Sequence, residues 1–353
     1  MENSVSRILI ETTVRQTLKG IQEDLERSIR NLVDMALQFS EGRFQNRFFE
    51  TAHTLLENEK SAYYGLIYDA VSHIETEHIV RLGMNIGYNS CTWGARRIRS
   101  NEKQLGFNIP WAVFLQMEDA SSNWDLSRYH WVIQQGEALG IYSWMIFAPH
   151  DPLAILPFAA AHSDSAFFLF CEPQAVTPDF AAQFLSVYNV MPVIHLDKNT
   201  QAACSLLRNA RIPYSVSCLY SAENIKAITN GELFAAVQNL HPLFTVLIPR
   251  SDCQHDTQRA AYQAAIDARN RQQFQTIPWE LYGDTQTGGS RGVCNICIPL
   301  LPPFGWQGRE IPLCHFSVFK FCVVDSKKYV FAIMEVLAAN LFFSGCAKPG
   351  FIL

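Results

Sequence analysis

Two sets of residues have types and spacings that could do chemistry. The first is a late group of thiols: Cys294-Asn-Ile-Cys297, then sixteen residues, then Cys314, then seven, then Cys322. A CxxC pair with further cysteines downstream can hold zinc or an iron–sulfur cluster, because thiolates are soft ligands that suit both. The second pair is spaced unlike a zinc ribbon, and "VCNICI" also reads as a strand that sends its two thiols to opposite faces. The second set lies at the carboxyl ends of short apolar segments: Glu118 and Asp119, His150 and Asp151, Cys171 and Glu172, His195 and Asp197, Tyr220, and Arg250. Imidazoles and carboxylates converging at one rim could bind a divalent metal and activate water, with His150, Glu172, His195 and Asp197 as the metal ligands. Polar residues also return at strand ends for no catalytic reason, and none of these spacings is as specific as HExxH.

The elements that would position these residues follow from periodicity. From Pro110 the chain alternates strands ("PWAVFLQ", "YSWMIFA", "AFFLFCE", "VMPVIHLD", "PYSVSCLY", "LFTVLIP") with helical segments. Six strands alternating with six helices predict a parallel sheet with right-handed crossovers, and functional groups then emerge at the carboxyl ends of the strands. Thr177 before Pro178, Asp125 and Ser221 are candidate N-caps. Upstream, Val14, Leu18, Ile21, Leu25, Ile29, Leu32 and Ala36 recur at three and four, one helical face, and a second helical stretch covers 47–82. The polar "RRIRSNEKQLGFN", with four basic residues, reads as a solvated connector. Beyond about residue 276 the sequence turns rich in Gly, Pro and Cys and ends in a helix near 329–343. The expectation is an α/β protein: a helical N-terminal region (1–100), a partial (β/α)6 TIM-like barrel (108–275) and a small Cys-containing C-terminal module (276–353).

Composition narrows the function. With 353 residues, 48% of them hydrophobic, the chain can bury a large core. A net charge of −5 gives no electrostatic case for nucleic acid. No apolar run is long enough for a bilayer span, and "MENSVSRILIE" lacks a basic, then apolar, leader, so a cytoplasmic protein without membrane contact is expected. Ten cysteines in such a compartment are free thiols or metal ligands rather than a disulfide framework, and the six that stand alone read as small core residues. No dinucleotide or phosphate-cradling glycine pattern is present.

The order of motifs resembles the radical SAM proteins with a SPASM-type C-terminal extension, many of which modify peptides. The resemblance runs from about Gly83 to Ser317. "FNIPWAVFLQMEDA" is similar to the segment leading into the family's first barrel strand, "NWDLSRYHWVIQQGEALGIYSWMIF" to its first helix and second strand, and "NVMPVIHLD" to its fourth strand. "IPYSVSCLYSAENI" is similar to its fifth strand with the loop that holds the adenosyl group, and "DTQTGGSRG" and "REIPLCHFS" to parts of the extension. The resemblance implies a residual S-adenosylmethionine pocket at Asp151, Asp197 and Tyr220.

The departures fall on catalytic parts. The family's loop after the first strand carries CxxxCxxC, whose three thiolates hold a [4Fe–4S] cluster; here "EDASSNW" occupies that place, shorter by about fifteen residues than the family pattern. The Gly-Gly-Glu-Pro turn that approaches the methionine amino group reads Pro149-His150-Asp151-Pro152, where proline lacks an N–H and β-carbons obstruct close approach. Asp197 stands where a glutamate is usual, a stretch with an arginine contact is missing after "VIHLD", and Ser290 replaces the extension's first cysteine while Cys314 remains. The expectation is a degenerate, non-catalytic barrel that binds a peptide or protein partner, with S-adenosylmethionine binding not expected. Two alternatives stay open: a metal-dependent enzyme using the rim residues, and an iron–sulfur or zinc protein using Cys294, Cys297, Cys314 and Cys322.

Overall fold

The structure is a computed structural model that describes residues 4–21, 23–38, 50, 53–54, 56–106, 108–117, 126–149 and 151–287. Glu118, Asp119, Asp125, His150 and the four late cysteines lie outside the described residues.

The barrel strands form one sheet in sequential order: β1 (Ala112–Gln116), β2 (Ser143–Phe147), β3 (Ala166–Cys171), β4 (Val190–His195), β5 (Ser215–Tyr220), β6 (Phe244–Pro249) and β7 (Ile277–Glu280). Every neighbouring pair is parallel, and among the described residues no pairing joins β1 to β7, so the sheet is an open half-barrel. The α/β class and the helical N-terminal region are as expected. A seventh strand adds to the six: "IPWE" is short and contains Pro278, which reads as a breaker, yet it forms the last strand of the sheet, where a missing N–H is tolerated.

Alternation divides the strands between two packed faces. Val113, Leu115, Trp144, Ile146, Phe167, Leu169 and Ile194 face the outer helices. Phe114, Met145, Phe147, Phe168, Phe170, Met191 and Val193 face the concave side. With apolar residues on both faces, the strands read as continuous runs such as "AFFLF". The outer layer packs tightly. A β-carbon on Gly136 of the helix Leu126–Leu139 would stand 2.4 Å from the Trp144 indole, so only glycine lets this helix lie on β2.

Helices Ser4–Gly20, Leu25–Gln38, Ala62–His73 and Thr76–Gly83 precede the sheet and lead into a π-helix, Met84–Gly94. The π-helix lies against the N-terminal ends of the strands. Asn85 Nδ2 donates to the carbonyls of Ser163 and Ser165 at 2.9 and 2.8 Å, Asn89 Nδ2 donates to Asp164 O at 2.7 Å, and Ser143 Oγ donates to Ser90 Oγ at 2.9 Å. These bonds replace water at buried carbonyls, where an unpaired group costs about 1–3 kcal/mol. The segment expected as a connector is instead the helix Ala95–Leu105. Its one buried apolar residue, Ile98, gave too weak a periodic signal, and Gly106 ends it at φ 76°.

Of the N-caps expected, Thr177 Oγ1 accepts from Phe180 N at 3.1 Å, with Pro178 in the first turn of the helix Pro178–Phe184. Thr177→Ala is expected to cost about 1 kcal/mol, read as a lower denaturant midpoint at unchanged slope. Ser221 instead accepts from Glu223 N in a turn, and Asn224 occupies the cap of the following helix, Ile225–Thr229.

Candidate functional site

The carboxyl end of the half-barrel gathers three of the expected rim residues. His195 is the last residue of β4, on the concave side with Met191 and Val193. Cys171 pairs with Ile194, so Glu172, one residue past β3, comes beside His195 in the register. Asp197 lies beyond the strand in the turn leading to the helix Thr200–Asn209, rather than on β4 as the spacing suggested. Its Oδ1 accepts from Asn199 N at 2.6 Å, its backbone N–H donates to Thr200 Oγ1 at 2.7 Å, and its Oδ2 accepts from Gln174 Nε2 at 2.6 Å. Asp197 thereby ties the loop after β3 to the loop after β4.

These groups perturb one another. Glu172 is pushed up to about 7, chiefly because burial disfavours its charge and further because the Asp197 carboxylate is near. Burial pulls the His195 imidazole below its ordinary range, against the opposing pull of Asp197. The mouth therefore holds a carboxyl that changes charge near neutrality beside an imidazole that stays neutral there, an arrangement able to donate or accept a proton.

The remaining expected residues separate from this group. Asp151 is exposed, ahead of the 3₁₀ turn Pro152–Ile155. Tyr220 ends β5 but is fully buried in the outer layer with Ile228, Phe234 and Leu247, because Ser215, Ser217 and Leu219 take the concave side. Its hydroxyl donates to Glu280 Oε1 at 2.8 Å. Glu280, which also accepts from Gly283 N, is held up to about 7 chiefly by burial. The sequence offered no cue to Glu280, since it falls in the strand that was not expected.

The floor beneath the rim is aromatic. Phe147 stacks on Phe170 with centroids 4.4 Å apart, and Phe114 lies 6.3 Å from Phe147. Trp279 meets Phe168 edge-on at 5.8 Å and Phe244 at 6.1 Å.

A thiolate-held cluster at this mouth does not fit the described cysteines. Cys91 lies in the π-helix at the opposite end, and Cys171, Cys204, Cys218 and Cys253 belong to or pack against the outer layer. Burial pushes the thiols of Cys91 and Cys218 up to about 11 and that of Cys204 to about 12, away from the thiolate form a cluster needs. Among the described residues no three His, Cys, Asp or Glu side chains are grouped so as to hold a metal ion. No helix among them is long and apolar enough to cross a membrane.

The fold and rim together define an α/β half-barrel with Glu172, His195 and Asp197 at its carboxyl mouth. No known protein-family profile matches the chain, and no curated protein matches it. Among solved structures, Streptococcus suis SuiB bound to S-adenosylmethionine is similar with a TM-score of 0.41 and 10% identity, over 53% of this chain and 51% of that one. A second structure of Streptococcus suis SuiB gives a TM-score of 0.41 and 10% identity, over 75% of this chain and 64% of that one. The chain thus matches 51% and 64% of the lengths of these two proteins.

Proposed function

We propose that this chain is a radical SAM-type half-barrel that does not cleave S-adenosylmethionine and whose mouth binds a peptide segment of a substrate or partner protein. The observation that carries the reading is the connection from β1 to the following helix. In sequence, residues 117–125 join the first strand to the following helix, the place where the resembled family carries its cluster thiolates, and they contain no cysteine. The described thiols, buried at Cys171, Cys204 and Cys253 and half-buried at Cys91 and Cys218, belong to other parts of the fold. A peptide suits what remains accessible, the half-buried Leu219 and Trp279 on the concave side with the Glu172 and Asp197 carboxyls at the rim, which favours a segment with an apolar side chain next to a basic one.

The test is anaerobic reconstitution of the full chain with iron and sulfide, followed by S-adenosylmethionine and dithionite. The expected result is no 5′-deoxyadenosine above a protein-free control; its formation in proportion to protein would overturn the reading. Peptide selection on the full chain is expected to enrich sequences pairing an apolar residue with Lys or Arg. Their binding should weaken about fivefold in Asp197→Asn, as loss of a rim charge contact of about 1 kcal/mol implies; enrichment indifferent to that change would argue against binding at the mouth.

A further inference from the structure

A second polar assembly lies outside the barrel, away from the mouth. His130 and Glu137 are seven residues apart on the helix Leu126–Leu139, two turns along one side. His162 ends the short helix Leu156–Ala161 just before β3. Its ring is almost fully buried, and its Nδ1 lies 2.8 Å from Glu137 Oε2. The other oxygen of Glu137 accepts from Ser165 Oγ at 2.6 Å, and that hydroxyl in turn accepts from Trp144 Nε1 at 3.3 Å. Asn189 Nδ2 donates to the backbone carbonyls of His162 and Ser165, at 3.0 and 2.9 Å, and fixes the turn that carries both.

This scaffold decides what the imidazole offers outward. Glu137 accepts at His162 Nδ1, so that nitrogen carries the proton and Nε2 presents its lone pair. Nε2 faces Nδ1 of His130, 3.1 Å away, on an exposed residue. Two imidazole nitrogens on one tetrahedral zinc, each at about 2.0–2.1 Å, stand about 3.3 Å apart. The ring centroids are 4.6 Å apart with planes at 51°. Without an ion His130 Nδ1 donates to His162 Nε2; an ion would take the place of that proton, which moves to the outer nitrogen of His130 and leaves a lone pair on each facing nitrogen. A carboxylate behind a ligating histidine, itself held by a hydroxyl, is the arrangement that orients such ligands and raises their basicity.

We propose that His130 and His162 form a site for a divalent transition-metal ion, with Glu137 as the positioning residue. No third His, Cys, Asp or Glu joins them among the described residues, so water completes the coordination and the ion exchanges readily. Imidazole selects Zn²⁺, Ni²⁺ or Cu²⁺ over Mg²⁺ and Ca²⁺. The site is independent of the mouth and of any reaction there.

The experiment is carbethoxylation of the full chain with diethylpyrocarbonate, mapped by peptide mass spectrometry with Zn²⁺, Ni²⁺ or Mg²⁺ present. Zn²⁺ and Ni²⁺ are expected to slow modification of His130 at least about tenfold, while Mg²⁺ does not. The exposed His255, whose ring faces Arg259, serves as a control that the ions should leave reactive. In Glu137→Gln the zinc concentration giving half-protection should rise about 10–100-fold. Because that variant alters a half-buried network, His130→Gln at an exposed position gives a second readout: it should remove part of the zinc-dependent rise in melting temperature. Equal protection of His255 and His130, or a zinc-dependent rise unchanged in His130→Gln, would overturn the proposal.

Discussion

Replacing Phe147 with alanine is expected to destabilise the protein by about 3–5 kcal/mol, the range for deleting a buried phenyl ring that neighbours cannot replace. Phe147 is 1% exposed and ends β2 on the concave face, where the register sets it directly beside Phe170. Its ring is held on one side by Phe170 and on the other by Phe114. Stacked pairs of this kind add about 0.5–1.5 kcal/mol each beyond the area they bury. The neighbouring strands are fixed by ladder bonds on both sides, so the sheet cannot close over the gap. Phe147→Leu retains most of the volume and should cost distinctly less than the alanine variant. Denaturant midpoints of the three proteins provide the check, with the slope held constant. A loss below about 1 kcal/mol in the alanine variant would mean that the concave floor repacks freely.

The second large effect is a dependence on pH located at His78. This residue of the helix Thr76–Gly83 is 1% exposed, with its ring edge-on to Tyr188 at 4.9 Å and its Nδ1 without a hydrogen-bond partner. Burial therefore pulls the imidazole from 6.5 down to about 4, against a smaller opposing pull from the Tyr188 backbone. Between these values the unfolded chain binds a proton that the folded chain refuses, so stability falls as pH drops from 6.5 toward 4 and is unaffected by this group above 6.5. The full span corresponds to about 3 kcal/mol. Glu172 and Glu280 act in the opposite sense: the folded protein holds their protons up to about 7, so between 4.5 and 7 their contribution weakens as pH rises. The profile of the wild-type protein is a sum, and the His78 part is isolated by difference. Urea unfolding of wild type and His78→Phe at pH 7 and pH 4.5 should show the variant gaining about 2–3 kcal/mol relative to wild type at the lower pH. An equal difference at both values would mean that His78 does not control acid stability.

Much of the architecture is legible because one physical signal dominates it. Apolar runs buried on both faces, punctuated by amphipathic helices, admit few arrangements other than a parallel sheet. The positions that escaped are those where that signal weakens. Ala95–Leu105 contains one buried apolar residue, Ile98, in a strongly polar helix, and periodicity cannot register a face one residue wide. Pro278 hides β7, because a local rule about proline takes no account of the strand's place at the end of the sheet. At the site, the ends of the strands were correctly placed in the sequence, but the side of the sheet was decided by parity and burial. "SVSCLY" sends two serines inward and Tyr220 outward, the reverse of what a functional reading of the tyrosine requires. Asp197 shows a different failure: the segment "VMPVIHLD" reads as strand to its last residue, but β4 stops at His195. The pairing of His130 with His162 has no sequence signature, since it depends on two helices meeting above β2 and β3.

The sequential order of the strands has a consequence for how the molecule is made. In a sheet where each strand pairs only with those just before and after it, no segment must wait for a distant one before it can dock. β2 completes the surface that β3 needs, and so on through β7. Loop closure is then paid in short instalments, one crossover at a time, rather than as one long-range encounter. A chain emerging from the ribosome can lengthen its sheet as it is synthesised, its growing edge exposed only until the next strand arrives.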